Sequence, residues 1–373
     1  MEKKINKKKI CFVQPRAYYL FNQETDAGKD KVGGAQTQTF YLSTGLAKKN
    51  NFDVHFLVAD FGQEDFEIRN KVKIWKSFNF NNNIFKKSFD LFRTLKTINA
   101  DIYIFRSADL GVAIASFYTK FVLQKKLFYM LASDVETSYK QSRQMSGILR
   151  ALSMSFVYKF ADTISVQSET QYNLFLKHRN KKPSAIIRNI IHLPKQNETI
   201  NKNYILWIGR LEKIKNPELF IELAKKYPDK KFVMIAPIIR DAVNYGKKIK
   251  ANILNEKNII HNDFVAPNNI KNYYEQSVMY VITSHQEGFS NTMAEAMANR
   301  CPVLSFNVNP DEIFTKHKAG SFANGSKEKF FNQFEELLIN KDLSMKFRKN
   351  ALKYIKKNHD KDTIINTFIQ LLK

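Results

Sequence analysis

Two glutamates, Glu287 and Glu295, stand in the stretch HQEGFSNTMAEAMANRCPVLSF with seven residues between them. The gap holds Gly288, then Ser290, Asn291 and Thr292, and it follows VMYVIT, an apolar β-branched run that reads as a buried strand. Glu287 therefore falls in the loop at a strand's carboxyl end. Gly288 lets the backbone come close to a ligand. Ser290, Asn291 and Thr292 then open a helix predicted over residues 293–299. The first N–H groups of such a helix are unpaired and its dipole is positive there, which suits a phosphate. Glu295, about one turn into that helix, can accept two hydrogen bonds from a vicinal diol such as a ribose. Taken singly, Glu287 fits a solvated loop residue and Glu295 a helix glutamate that favours the dipole. The chemistry rests on the combination of strand, glutamate, glycine, polar cap and second glutamate.

A second stretch, YILWIGRLEKIKNPELFIELAKKYPDKKFVMIA, ends a strand at Gly209 and places Arg210 next. Lys215 lies just before Asn216-Pro217, which read as the cap and first position of a helix. Two cations on one strand-to-helix loop can make charge-assisted bonds to a diphosphate, the arginine in fork geometry. In a chain with 60 Lys and Arg, such neighbours also arise without function. A third stretch, KVGGAQTQTFYLSTGLAKK, sets Gly33-Gly34 at the start of a long helix, where a glycine pair admits a phosphate or a sugar. It lacks the G-x-G-x-x-G pattern, and no P-loop Gly-Lys-Ser/Thr occurs in the chain, so an ordinary tight turn reads equally well.

These loops need strands and helices to hold them. Strand-like runs KICFVQ, DVHFLVA, DIYIFR, KLFYMLA and DTISVQ alternate with amphipathic stretches, among them a helix expected over residues 35–49. The alternation restarts with YILWIG, KFVMIA, NIIHN, VMYVIT and PVLSF, and residues from about 326 onward read as helices. This is the pattern of parallel sheets with helices on both faces. Residues 177–203 are polar, basic and weakly periodic, which places the interdomain crossing there. The expected architecture is α/β, two doubly wound Rossmann-like domains facing each other across a cleft. The boundaries are 1–190 for an acceptor-side domain and 191–355 for a nucleotide-sugar domain, with a C-terminal helix, 356–373, packing back on the first. In such sheets ligands bind at the carboxyl ends of the strands, where all three stretches lie.

Together the stretches resemble the family 4 retaining glycosyltransferases of the GT-B fold. GRLEKIKNPELFIELA looks like that family's Gly-Arg-Leu…Lys segment. SHQEGFSNTMAEAMANRCPVLSF looks like its two-glutamate motif. ADTISVQSETQYNLFLK with AIIRNII looks like the end of its first domain. The resemblance implies a hexosyltransferase-like enzyme that needs no metal and no cofactor, with a UDP- or GDP-linked sugar as donor substrate. It implies that Arg210 and Lys215 neutralise the donor diphosphate and that Glu287 contacts the donor sugar. Gly288, Phe289, Ser290, Asn291 and Thr292 would hold sugar and phosphate, Glu295 the ribose, and Gly33-Gly34 would join the donor site. Many members carry an active-site histidine in the first domain; the corresponding stretch here, FYMLASDVETSYK, offers Asp134, which fits a helix cap equally well. Members often have Asn-Gly-Val after the first domain, where this chain has Asn189-Ile190-Ile191. The implied acceptor is a glycan or lipid-linked sugar, in cell-surface polysaccharide or glycolipid synthesis.

Composition limits the alternatives. With 373 residues, 44% of them hydrophobic, the chain can fill two cores. The formal charge of +25 favours an anionic partner, although Lys, Asn, Ile and Phe are plentiful throughout and a compositional bias gives the same sum. A nucleic-acid-binding protein is disfavoured because no recognition motif is present. A nucleotide-sugar epimerase of the same fold remains the competing enzyme. Cations interleave with aromatics in NIFKKSFDLFRTLKTI and QSRQMSGILRALSMSFVYKF, which suits an anionic membrane surface as a further partner. Cys11 and Cys301 give neither a disulfide framework nor a zinc spacing, and the seven His show no H-E-x-x-H. Asp360-Lys361-Asp362 is the one Asp-x-Asp of a metal-dependent transferase type, and Asp362 reads better as a helix cap. The apolar run near the N-terminus, Ile10 to Val13, is too short for a signal peptide. The longest apolar region is broken by Arg106, Asp109 and Lys120. The expected location is cytoplasmic, peripheral on the inner face of the cell membrane.

Overall fold

The computed structural model describes residues 7–24, 26–29, 32–106, 109–194, 202–239 and 242–373. The chain divides into two compact units, Met1–Ile190 with Lys361–Lys373, and Ile191–Asp360.

The first unit carries eight strands: β1 Lys8–Val13, β2 Phe52–Val58, β3 Phe66–Arg69, β4 Val72–Lys76, β5 Ile102–Arg106, β6 Lys126–Met130, β7 Thr163–Val166 and β8 Ala185–Ile186. They form one sheet in the order β3-β4-β2-β1-β5-β6-β7-β8. All neighbours run parallel except β3 and β4. The chain builds outward from β1 on one side, then returns to place β5 on the other, so the strand order reverses between β1 and β5. Successive side chains of β1 point to opposite faces. Ile10 and Phe12 enter one core with the helices Gly34–Leu46 and Lys361–Leu371. Cys11 and Val13 enter another with Ile84–Ile98, Leu110–Phe117, Ile148–Phe160 and Glu169–Arg179. Both faces are covered, which is why the strands read as continuous apolar runs. The helix Gly34–Leu46 approaches the last helix so closely that a Cβ at Gly45 would lie 2.5 Å from Ile365 Cδ1.

The antiparallel edge pair β3–β4 escapes the sequence pattern. Its turn residues Asn70 and Lys71 both have positive φ, 51° and 64°, the geometry of a tight two-residue hairpin that usually advertises itself with Asn-Gly. At the end of the unit no glycine turn replaces the missing Asn-Gly-Val. Instead the buried Gln38 amide grips Ile190 twice, donating to its carbonyl at 3.0 Å and accepting from its N–H at 2.7 Å. Within the stretch read as a crossing, Lys177–Arg179 finish a helix and β8 follows; residues 195–201 lie outside the described residues.

The second unit has six strands: β9 Tyr204–Ile208, β10 Phe232–Ile235, β11 Ile259–Asn262, β12 Ser277–Ile282, β13 Val303–Ser305 and β14 Ser321–Phe322. Their order is β11-β10-β9-β12-β13-β14, all parallel. The reversal here falls between β9 and β12. Tyr204 and Leu206 face one core, Ile205 and Trp207 the other. A break at residue 355 does not occur: the helix Lys341–Asn358 runs on, with Phe347, Ala351, Tyr354 and Ile355 on its buried side, and the unit ends at Asp360.

Candidate active site

The loops after β9 and β12 leave adjacent strands at the point of reversal, where open α/β sheets bind ligands. After β9, Gly209 packs under an indole: a Cβ there would lie 2.9 Å from Trp207 Cη2. Arg210 is half exposed and ion-paired with Glu212 at 2.6 Å. A single turn, Lys213–Lys215, follows, and Asn216 takes a left-handed conformation, φ 48°, before Pro217 starts the helix Pro217–Lys226.

This loop is strapped to the end of β12. Thr283, fully buried, donates to the Lys215 carbonyl at 2.7 Å and accepts from Trp207 Nε1 at 2.9 Å. The His285 N–H donates to the Ile214 carbonyl at 2.9 Å. The strap brings the Lys215 ammonium to 2.9 Å from Glu287 Oε1. Ser284 Oγ donates to the same oxygen at 2.6 Å. Burial works to raise the Glu287 carboxyl, but the Lys215 charge and hydrogen bonds from Lys215, Ser284 and Ser290 outweigh it and hold the group below the usual glutamate range. Glu287 is thus a fixed carboxylate with a fixed cation beside it.

Gly288, Phe289 and Ser290 are buried. The helix begins at Asn291, two residues earlier than the spacing predicts, and runs to Ala298. Ser290 caps it, its Oγ facing the Met293 N–H at 3.5 Å. Tyr280 reaches up from β12 and donates to Thr292 Oγ1 at 2.8 Å, and Thr292 Oγ1 lies 3.1 Å from Ser290 Oγ. A chain of hydroxyls therefore fixes the turn that presents the helix N-terminus. One turn on, the part-buried Glu295 accepts from the Tyr274 hydroxyl at 2.9 Å on Oε2. Burial pushes the Glu295 carboxyl up to about 7, against the lowering effect of Tyr274.

The second unit therefore gathers Lys215, Glu287, the 288–292 turn and Glu295 at the carboxyl ends of the central strands β9 and β12, with Arg210 on the same loop as Lys215. Gly33, Gly34 and Asp134 lie in the first unit. Gly33, in an extended conformation, precedes the helix Gly34–Leu46 without a side-chain cap. Gln36, in its first turn, donates to Gln14 Oε1 at 3.2 Å, just past β1. Asp134 follows β6 and is buried; its Oδ1 accepts from Gln171 Nε2 at 3.0 Å. The cap of the short helical turn Asp134–Thr137 is Ser133, not Asp134. Two residues on, Glu136 accepts from Tyr129 at 2.7 Å, and burial pushes its carboxyl up to about 7 despite that bond. Arg106, fully buried at the end of β5, donates to Asn189 at 2.9 Å, and Asn189 donates to Gln167 at 3.2 Å. Asp362 is not the cap that the sequence pattern makes it: it is the second residue of the helix Lys361–Leu371, inside its first turn. Among the described residues no three His, Cys, Asp or Glu side chains cluster as metal ligands, and no helix is long and apolar enough to cross a membrane.

The supporting roles of Trp207, Tyr274, Tyr280, Thr283, Ser284, Gln167 and Gln171 are not legible in the sequence, although Ser284, Gln167 and Gln171 lie within the quoted stretches that carry the resemblance. The one available signal is position: Thr283-Ser284 are the first polar residues after a buried strand.

The geometry can be set beside known proteins. Residues 190–354 match the family model described as glycosyl transferases group 1. An uncharacterized glycosyltransferase of Haemophilus influenzae is 23% identical over 306 residues, 78% of this chain and 82% of its own. The amylovoran biosynthesis glycosyltransferase AmsD of Erwinia amylovora is 24% identical over 342 residues, 87% of this chain and 92% of its own. Among solved structures, sucrose-phosphate synthase from Thermosynechococcus elongatus superposes with a TM-score of 0.80 at 13% identity, covering 98% of both chains. Anabaena HepE, solved in complex with UDP and glucose, gives a TM-score of 0.75 at 15% identity over 98% of this chain and 99% of its own. The matched segment is the one that holds Arg210, Lys215, Glu287 and Glu295: over residues 190–354 the chain carries a glycosyl transferases group 1 domain, and its fold is that of the GT-B glycosyltransferases it superposes on.

Proposed function

We propose that the protein is a retaining glycosyltransferase that moves a sugar from a UDP- or GDP-linked donor to a glycan or lipid-linked acceptor in polysaccharide or glycolipid synthesis. The observation that carries this reading is the joined pair of loops at the β9/β12 reversal, where Lys215 and Glu287 meet next to a helix N-terminus. Arg210 and Lys215 bind the donor diphosphate, and the 288–292 turn presents its N–H groups to phosphate and sugar. Glu287 takes hydroxyls of the donor sugar, and Glu295 takes the ribose diol. Departure of the sugar builds negative charge on the diphosphate; preorganised cations and amides there lower the barrier with no divalent ion. Asp134, at the carboxyl end of a strand in the first unit, acts on the acceptor hydroxyl. The reaction runs in the cytoplasm. AmsD's role in amylovoran synthesis and the UDP and glucose bound by HepE support the acceptor and donor classes chosen.

The test is a screen of nucleotide sugars for thermal stabilisation, followed by transfer assays on the donor that binds. NMR of the anomeric proton in donor and product then reads the stereochemistry. Inverted product overturns retention. An isomerised nucleotide sugar formed without acceptor overturns transfer in favour of epimerisation. Activity abolished by a chelator overturns the metal-independent reading.

A further inference from the structure

We propose that the outer face of the helices Ile84–Ile98, Leu110–Phe117 and Ile148–Phe160 in the first unit docks the protein on an anionic lipid bilayer. All three pack through their inner sides on the same face of the sheet, in one core. The first neighbours the second and the second neighbours the third. Their solvent sides therefore form one continuous surface. Rings bridge it: Phe92 stacks on Tyr118 at 4.2 Å, and Phe117, Phe121, Phe156 and Phe160 form a cluster with centroids 4.8–6.2 Å apart.

This surface is apolar where a soluble face should be polar. Of the 21 exposed large apolar side chains among the described residues, eleven lie between Ile84 and Leu152, on these helices, the short helix Tyr139–Ser146 and the segment that follows Phe117. Phe85 is 84% exposed, Phe89 66% and Leu149 69%. Soluble monomers rarely expose so much apolar surface in one place unless it binds something. Charge decides what. Residues 84–98, 110–126 and 139–160 hold eleven Lys and Arg and a single acid, Asp90. A second copy of this chain would bring these cations together, with only Asp90 on these segments and Asp162, already paired with Lys120, to answer them. A bilayer with anionic headgroups answers both features at once: the rings enter the boundary of the acyl chains while Lys86, Lys87, Arg143 and Arg150 meet lipid phosphates. The long aliphatic stems of the cations suit that depth.

Lipid binding is read without donor or acceptor, so it stands apart from the transfer reading. The full-length protein is sedimented with vesicles of phosphatidylcholine alone and with vesicles of phosphatidylcholine mixed with phosphatidylglycerol. Binding is expected only to the second, and is expected to fade between about 0.1 M and 1 M salt as the Debye length falls from ~10 Å to ~3 Å. Each cation at the surface contributes about fivefold in affinity, so Lys86→Glu with Lys87→Glu should weaken binding at least about tenfold. Phe85→Ser with Phe89→Ser should weaken it too, with unchanged salt dependence. The control is Lys349→Glu with Lys353→Glu, an equal charge change on an exposed helix of the second unit. Lys87 is half-exposed and the other five positions are exposed, and circular dichroism verifies the fold. Equal loss in the control shows a bulk effect of +25 and overturns the surface. No binding to anionic vesicles overturns it as well. Concentration-dependent dimers that vanish with Phe85→Ser would give the face to a second copy instead.

Discussion

The Lys215 ammonium lies 2.9 Å from Glu287 Oε1, although the two residues come from loops on different, neighbouring strands. The groups assigned to diphosphate and sugar are thus each other's partners before any donor arrives. Lys215 holds Glu287 in its ionised form and each limits the other's rotamers, so the proposed donor would meet a preformed pair.

That coupling is measurable. Lys215→Ala and Glu287→Ala should each lower kcat/KM by up to about 100-fold. The double variant should lose much less than the product of the two, because each single change already strands the other charge. Kinetics on the wild type and three variants give the cycle; independent, fully additive losses would show that the pair does not act as a unit. Arg210→Ala should depress kcat strongly with little change in melting temperature, since its side chain is half exposed.

Thr283 should matter though it touches no substrate. Thr283→Val removes the donor to the Lys215 carbonyl and leaves the Trp207 N–H buried without an acceptor. That should cost about 1–3 kcal/mol of stability. Displacing the 213–215 turn should lower kcat beyond this. Thr283→Ser, which keeps the hydroxyl, should restore both. A melt and a kcat for each variant suffice, and a silent Thr283→Val would mean the loop is held by its own turn.

The sheets were legible because parallel strands buried on both faces leave uninterrupted apolar runs, and the loops after β9 and β12 because glycine, proline and caps mark strand-to-helix corners. The β3–β4 hairpin was not, since Asn70 and Lys71 adopt positive φ without glycine. Nor was the Gln38 clasp on Ile190, a contact across 152 positions. Tyr274 and Gln171 were invisible for the same reason: a hydrogen bond made by tertiary approach leaves no local spacing. Lys215 and Glu287 could each be picked out, but their pairing depends on β9 lying beside β12, which pattern alone does not order.

Donor affinity should depend on pH through Glu295. Its carboxyl must be ionised to accept both ribose hydroxyls, and burial holds it up to about 7. Affinity for a nucleotide sugar, whose diphosphate does not titrate here, should therefore rise as pH increases through about 7 and then level. Glu295→Gln should flatten the profile and weaken binding by about 1.5–3 kcal/mol. Tyr274 donates to the carboxylate and lowers its pKa, so Tyr274→Phe should move the rise to higher pH. The sign for stability is opposite: the raised group favours the fold below about 4.5, and that share is lost as pH climbs to about 7. Calorimetry across pH on three proteins reads all of this; an unmoved midpoint in Tyr274→Phe would release the tyrosine from the site.

Asp134 is the remaining test of chemistry against packing. Gln171 holds its Oδ1 at 3.0 Å, and an asparagine there keeps that acceptor while losing the charge and the basicity. Asp134→Asn should therefore leave the fold and the donor affinity as they are. If Asp134 takes the acceptor's proton, transfer should fall by about 10²–10⁴-fold. Gln171→Leu, which removes the donor to Oδ1, should reduce kcat by less and leave donor affinity alone. The comparison needs donor Kd, melting temperature and kcat for both variants. Normal turnover in Asp134→Asn would reduce the residue to a hydrogen-bond acceptor for Gln171. A fall in melting temperature that matches the fall in rate would likewise assign it to packing.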